Sequence, residues 1–387
     1  MTLTDFQRII VMNTLAGVGM GLVGLFVPIY LLELGNSLPT VITWLLVHHL
    51  SLLFGAFLAV YVSNTIGLVR SWYVRIVLVS ILFIGLFFLP TYSMILFILA
   101  FLSGMESAFF WIPYNILVVR KTEDLTMGSS LAFMSNVGSA VGIVVPGIAA
   151  LLIVAYGYNI LFAIALAFIL ISIIPVLPLR HEKTDFQFNF SEIRSIIRKN
   201  KQFILPEILD NLGQDAQVLW TLFLFITSFT VLDIGLLGVL AGLVGMVVTH
   251  ITGALIDKWN KKAIVRFGAI ATTIMWTLSF LVAIYVPTPV LLYIVTVLRG
   301  FALGIFTSAY GAIMFNRARG NDAQFLVLRE IPTIFGRVIV FTLTLVFLAL
   351  NHFEPVFLMV AFLSIYFWFN NLDDLVRQPD ETFLKTD

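Results

Sequence analysis

The chain has 387 residues, of which 60% are hydrophobic and only 11% charged, with a formal net charge of +1 and a mean hydropathy of +1.05. Soluble domains carry charge on about a quarter of their residues, so this composition excludes an ordinary soluble fold. The near-neutral balance argues against nucleic acid as a partner, and the absence of cysteine excludes disulfides, thiolate metal sites and thiol nucleophiles.

Twelve apolar runs follow one another, at approximately 9–33, 40–63, 73–90, 92–119, 127–155, 159–178, 203–230, 234–256, 264–286, 289–316, 323–350 and 355–372. A spanning helix needs about 20 apolar residues, so twelve spans joined by short turns use the whole chain. The first run follows a lone basic residue, Arg8, and continues to Leu32, too long for the core of a cleaved signal peptide. Turns after the odd runs, such as Gly35-Asn36-Ser37, Gly157-Tyr158-Asn159 and Pro287-Thr288-Pro289, contain neither Lys nor Arg. Basic residues gather instead at the termini and after the even runs, Arg120-Lys121 among them. This positive-inside alternation predicts an all-α, multi-pass protein of the plasma membrane with both termini in the cytoplasm.

Residues 179–202 form the longest polar break, dividing an N-terminal six-helix bundle (1–178) from a C-terminal one (203–387). Within it, Ser191 caps a short amphipathic helix with Ile193, Ile196 and Ile197 on one face and Arg194, Arg198, Lys199 and Lys201 opposite. The halves are related by an offset of 196: Gly104 precedes Tyr114 and Lys121 as Gly300 precedes Tyr310 and Arg317. Internal duplication of this kind characterises secondary transporters, whose site lies between repeats near the midplane.

Ionisable groups inside a span cost about 2.5–3.5 kcal/mol on insertion scales, so each demands a reason. Eight are read there: Glu106; Glu207, Asp210 and Asp215; Arg299; Arg329, Glu330 and Arg337. None is read within the body of the third, sixth, ninth or twelfth run, Arg75 and Arg266 at the mouths of two of them being counted with the basic connections, and this turns those four towards lipid. In the seventh run, Glu207, Asp210, Asn211, Gln214, Asp215, Gln217 and Thr221 fall on one arc of a helix and predict a water-lined face. Acids outnumber bases five to three, which leaves Asp210, Asp215 or Glu106 to carry a coupling proton; permanent pairing with arginine is the alternative. Around Glu106 stand Phe109, Phe110, Trp111, Tyr114 and Asn115, with Pro113 allowing a bend. Solute contacts are expected from Glu106, Trp111, Tyr114, Asn115, Asn211, Gln214, Gln217, Arg299 and Tyr310. Arg329, Glu330 and Arg337 read as an inner-gate network or an anion site. His48 and His49 point to different helix faces, which suits packing or cavity lining better than a shared metal.

Gly19-Met20-Gly21-Leu22-Val23-Gly24 matches a dinucleotide fingerprint but lies inside an apolar helix, where it serves helix packing. No nucleotide loop, metalloprotease motif or nucleophile elbow is present, so neither an enzyme nor a cofactor is expected.

The stretch Gly253-Ala254-Leu255-Ile256-Asp257-Lys258-Trp259-Asn260-Lys261-Lys262 resembles the signature loop of the major facilitator superfamily, with Lys258 for its Arg and Asn260 for its second Gly. The first-half loop departs from that pattern, with Asn64 where the acid stands. The resemblance implies twelve helices in two six-helix bundles, a cavity lined by the first, fourth, seventh and tenth spans, and a cytoplasmic latch. In that latch Gly253 permits close helix approach and Asp257 and Lys258 form a charge relay. Arg299 with Gly300 and Gly304 is similar to the family's arginine motif. The expected protein is a monomeric secondary active transporter moving a small polar or cationic solute, coupled to protons and leaning to export, with membrane lipids around it. A lipid flippase of the same fold, or a non-transporting receptor or assembly factor, are the competing readings.

Overall fold

A computed structural model describes residues 4–121, 127–179, 182–183, 194, 198, 201–227, 229–256, 261–318 and 322–369. Among these residues every regular element is helical. Thr4 and Gln7 form a reciprocal capping box that starts α1 (Asp5–Gly24), and Asp5 sits favourably in its first turn. The first predicted span continues as α2 (Val27–Glu33) after a break at Leu25 and Phe26. Ser37 caps α3 (Leu38–Ile66), and Gly67 alone links it to α4 (Leu68–Phe88). That one-residue link has φ of +100°, a region that glycine enters without a Cβ penalty. Next come α5 (Leu96–Lys121) and α6 (Met127–Ser172), the latter 46 residues long. Gly157, at φ +79° and ψ 174°, breaks α6 at the predicted turn and separates the fifth and sixth runs.

The second half comprises α7 (Lys201–Thr227), α8 (Val231–Ile256), α9 (Lys261–Tyr285), α10 (Pro289–Ala318), α11 (Asp322–Ala349), α12 (Pro355–Ser364) and α13 (Tyr366–Phe369). Among the described residues, nine stretches are long and apolar enough to cross a membrane. One of them, Ala140–Val176, holds both arms of the bent α6. With the polar-faced α7 and the shorter Pro355–Phe369 stretch, the order is consistent with twelve crossings.

Lipid-facing surfaces are legible in exposed apolar residues at helical spacing: Val77, Ile81, Ile84 and Phe88 on α4, and Phe267, Ile270, Ile274, Leu278 and Leu281 on α9. In lipid such exposure needs no partner. The third run nevertheless carries a charge that the sequence reading placed at its mouth. Arg75 lies two turns inside α4 and is buried, so that run is not free of charge.

The core is arranged unevenly along the membrane normal. At the end whose connections lack Lys and Arg, one apolar core joins both halves, with Phe26, Tyr30, Phe83 and Phe162 meeting Trp220, Phe223 and Phe357. At the basic end the described residues form two separate cores. One holds Ile9, Val60, Trp72 and Phe109; the other holds Phe203, Val265, Phe306 and Tyr310. Midway, Leu52 and Ala108 of the first half touch Ile334 of the second. The start of the linker is fastened to the first half, where the Leu68 amide donates to the Glu182 carbonyl at 2.8 Å and Lys121 pairs with the Glu182 carboxylate. The amphipathic helix expected in the linker lies outside the described residues, except Arg194 and Arg198, which are helical and exposed.

Candidate functional site

The offset of 196 is reproduced in packing. Tyr114 stacks on Phe110 at 5.5 Å between centroids, and Tyr310 stacks on Phe306 at 5.7 Å. A Cβ on Gly104 would collide with the His48 carbonyl of α3, and one on Gly300 would lie 2.8 Å from the Ala241 carbonyl of α8. The fourth and tenth runs therefore hold equivalent places in their halves.

Glu106 is a closed pair, not an open cavity acid. The Arg75 Nε lies 3.1 Å from its Oε2, Ser107 donates to Oε1 at 3.1 Å, and the Arg75 guanidinium sits 4.1 Å from the centre of the Phe110 ring. Both charged side chains are almost wholly buried. This corrects the count of acids over bases and supports the permanent-pairing alternative for Glu106. Sequence missed the partner because Arg75 stands near the start of its run, among residues read as a basic connection.

The stripe on α7 divides in two. Glu207, Asn211 and Asp215 recur at one-turn intervals and face α11. Arg329 donates from Nε to Glu207 Oε1 at 2.7 Å, Thr333 donates to the same oxygen at 3.1 Å, and Tyr310 donates to Oε2 at 3.3 Å. Asn211 donates to Glu207 Oε1 at 3.2 Å and accepts from Arg337 Nη2 at 3.3 Å. Asp215 Oδ2 lies 3.7 Å from Arg337 Nε and 3.2 Å from His49 Nε2, a group contributed by the other half. His49 stacks on Phe341 of α11 at 5.2 Å, and His48 exchanges a 3.0 Å hydrogen bond with Ser103. Asp210 and Gln214 turn the other way, towards α9, α12 and α13, where Gln214 donates to Asp210 at 2.7 Å.

Two cavities flank this seam. The first, about 240 Å³, is lined by His48, His49, Ser103, Ser107 and Asp215 together with Trp44, Phe83 and Phe341. The histidines do line a cavity, as their helix positions suggested, but their link to Asp215 is visible only in three dimensions. The second, about 400 Å³, lies between α6, α7, α8 and α10 and is lined by Gln217, Thr221, Thr249, Thr296, Arg299 and Thr307 among apolar and glycine residues. Arg299 is buried between two indoles, 4.7 Å from the Trp220 ring centre and 4.3 Å from that of Trp276.

Of the expected solute contacts, Gln217 and Arg299 line the larger cavity and Gln214 a small pocket inside the second half; of the expected proton carriers, Asp210 shares that small pocket and Asp215 lines the 240 Å³ cavity. Asn211 and Tyr310 belong to the Glu207 network. Trp111, Tyr114 and Asn115 line neither large cavity; Tyr114 is buried on Phe110, while Trp111 is 48% exposed. Arg329 and Arg337 form the expected network with α7, whereas Glu330 stands beside it, half-buried, and joins none of the hydrogen bonds above. Among the described residues, a Cβ on Gly253 would meet nothing within 4 Å. Asp257 and Lys258 lie outside the described residues.

This architecture is shared with solved membrane transporters. It matches a bacterial homologue of the iron transporter ferroportin in an inward-facing state, with TM-score 0.68 and 13% identity over 95% of this chain and 99% of that one. It matches a D-xylose–proton symporter with TM-score 0.69 and 12% identity over 98% and 99%. The fold is therefore the one these multi-pass membrane transporters share. Among curated proteins, the uncharacterized protein YqgE of Bacillus subtilis (strain 168) is 23% identical over 249 residues, which span 61% of this chain and only 57% of that relative. The profile described as Major Facilitator Superfamily matches residues 9–233, more than half of the sequence, and the chain belongs to that superfamily.

Proposed function

We propose that the protein moves a small polar solute by alternating access, with proton binding at the His49–Asp215 contact biasing which face is open. The two halves, 1–178 and 203–387, rock about the midplane and remain tethered by the 179–202 linker. The single core at one end and the two separate cores at the other support an inward-facing state, if the basic end is cytoplasmic as the charge pattern predicts.

The observation that carries the coupling is position. Asp215 belongs to the second half and His49 to the first, and both are buried at the seam. Asp215 is faced by His49 and His48 from α3 and by Arg337 from α11. At an effective dielectric of about 20, unit charges 4 Å apart interact by roughly 4 kcal/mol, so adding or removing one proton here is large against the tenfold population change that ~1.4 kcal/mol produces. The other α7 acid at this face, Glu207, is held by Arg329 within its own half and suits a fixed support.

Because the chain contains no cysteine, two introduced thiols become the sole labelling sites. Spin labels at Thr65→Cys and Ala263→Cys, exposed near the basic ends of α3 and α9, report the opening between the halves. The distance distribution should shift between about pH 5 and 8, and Asp215→Asn or His49→Gln should remove the shift. A distribution that ignores pH in the unaltered protein refutes the coupling.

A further inference from the structure

Three of the four arginines buried or half-buried in the helical body have an acid: Arg75 has Glu106, Arg329 has Glu207 and Arg337 has Asp215. Arg299 has none among the described residues, although it is only 4% exposed. Its two indole neighbours return roughly 2 kcal/mol each, against a desolvation penalty of several kcal/mol for a buried ion. An uncompensated cation at that depth is expensive unless something else supplies the negative charge.

The cavity around it says what that something is. Among the described residues, no Asp or Glu lines the 400 Å³ space. Two residues of its lining, Arg299 and Gln217, each hold a buried donor atom, Nη1 and Nε2, that has no acceptor among the described residues. Three of the four hydroxyl hydrogens in the lining are already spent, since Thr221, Thr296 and Thr307 each donate to a carbonyl one turn earlier on its own helix, which leaves the Thr249 hydroxyl as a further donor. The remaining wall is apolar, with Leu303 and Met246 among its side chains. Orphan donors, one fixed positive charge and no acid form the complement of an oxyanion carried on an apolar body.

We propose that Arg299 and Gln217 form the anion subsite of the transport cavity, and that the solute is a small organic carboxylate whose apolar part lies against α8. The assignment rests on the alternating-access reading and narrows its solute class. It also explains the second half's choice of arginine: guanidinium presents two parallel donors to a carboxylate, which a lysine ammonium does not.

Trp220 and Trp276 stand over the guanidinium, so tryptophan emission of the purified full chain reads the site directly. The titrants are lactate, benzoate and octanoate, each paired with its uncharged amide, and inorganic phosphate. At least one carboxylate should give a saturable change with affinity tenfold or more above its amide. Arg299→Gln should lower that affinity by roughly 10- to 100-fold, the scale of hydrogen bonds to a charged group, with Arg299→Lys between. The amide comparison needs no variant, so a misfolded Arg299→Gln does not blunt the test. Equal binding of acid and amide, saturation by phosphate alone, or no saturable response overturns the carboxylate subsite. Asp215→Asn separates the two proposals: it should abolish the pH response of the spin labels while anion binding survives.

Discussion

Ser103 and Arg299 occupy the same place in the two halves of the chain, each one residue before a glycine that packs against the neighbouring helix. In the first half that place holds a hydroxyl, hydrogen-bonded to His48 at 3.0 Å and lining the smaller cavity. In the second it holds a cation clasped by two indoles and lining the larger one. The flanking packing is conserved within the molecule, Gly104 with Gly300 and the Phe110–Tyr114 stack with the Phe306–Tyr310 stack. Duplication has therefore kept the residues that bring helices together and let diverge the ones that face a cavity. The charge that Arg299 brings to its cavity has its first-half counterweight in Arg75, which is shut away with Glu106.

The sharpest way to break this contrast is to open the shut pair. Glu106→Ala strands a buried guanidinium and should cost about 3–5 kcal/mol, read as a large fall in thermal stability in detergent. The double substitution Arg75→Met with Glu106→Gln should recover most of that loss, because the pair is structural. A double variant as unstable as the single one contradicts that assignment. Next comes the shared packing. Gly104→Ala should destabilise by about 1–3 kcal/mol, since the new methyl meets the Ser51 hydroxyl and the His48 carbonyl, and the carbonyl is backbone that cannot turn aside. The smallest effect is expected at the divergent position of the first half. Ser103→Ala removes one partly buried hydrogen bond and should cost about 1 kcal/mol, leaving anion binding at Arg299 untouched.

Much of the scaffold was legible from residues alone. Hydropathy placed the runs, Gly157 marked the break in α6, and the spacing of Gly104–Tyr114 and Gly300–Tyr310 exposed the repeat. The seventh run stood out because three carboxylates on one helix need partners, and it does hold the seam. What stayed hidden depends on distance across space. Arg75 and Glu106 lie 31 residues apart, and His49 and Asp215 belong to different halves. The helical wheel gave one polar arc for α7, yet neighbouring helices split it, α11 taking Glu207, Asn211 and Asp215 while Asp210 and Gln214 turn towards α9 and α12. The ring pair around Arg299 comes from Trp220 and Trp276, positions that no local pattern connects.

The single core that closes one end is built from aromatic and aliphatic side chains, whereas the basic side of the seam carries the Arg329–Glu207 pair. Exchanging one closure for the other would wet more hydrocarbon than it dries. Such an exchange has a positive heat capacity, and the attraction between apolar surfaces weakens on cooling. Under the proposed alternating access, the balance between the two openings is thus a thermometer: its temperature dependence is curved, and cold favours prising the apolar end apart.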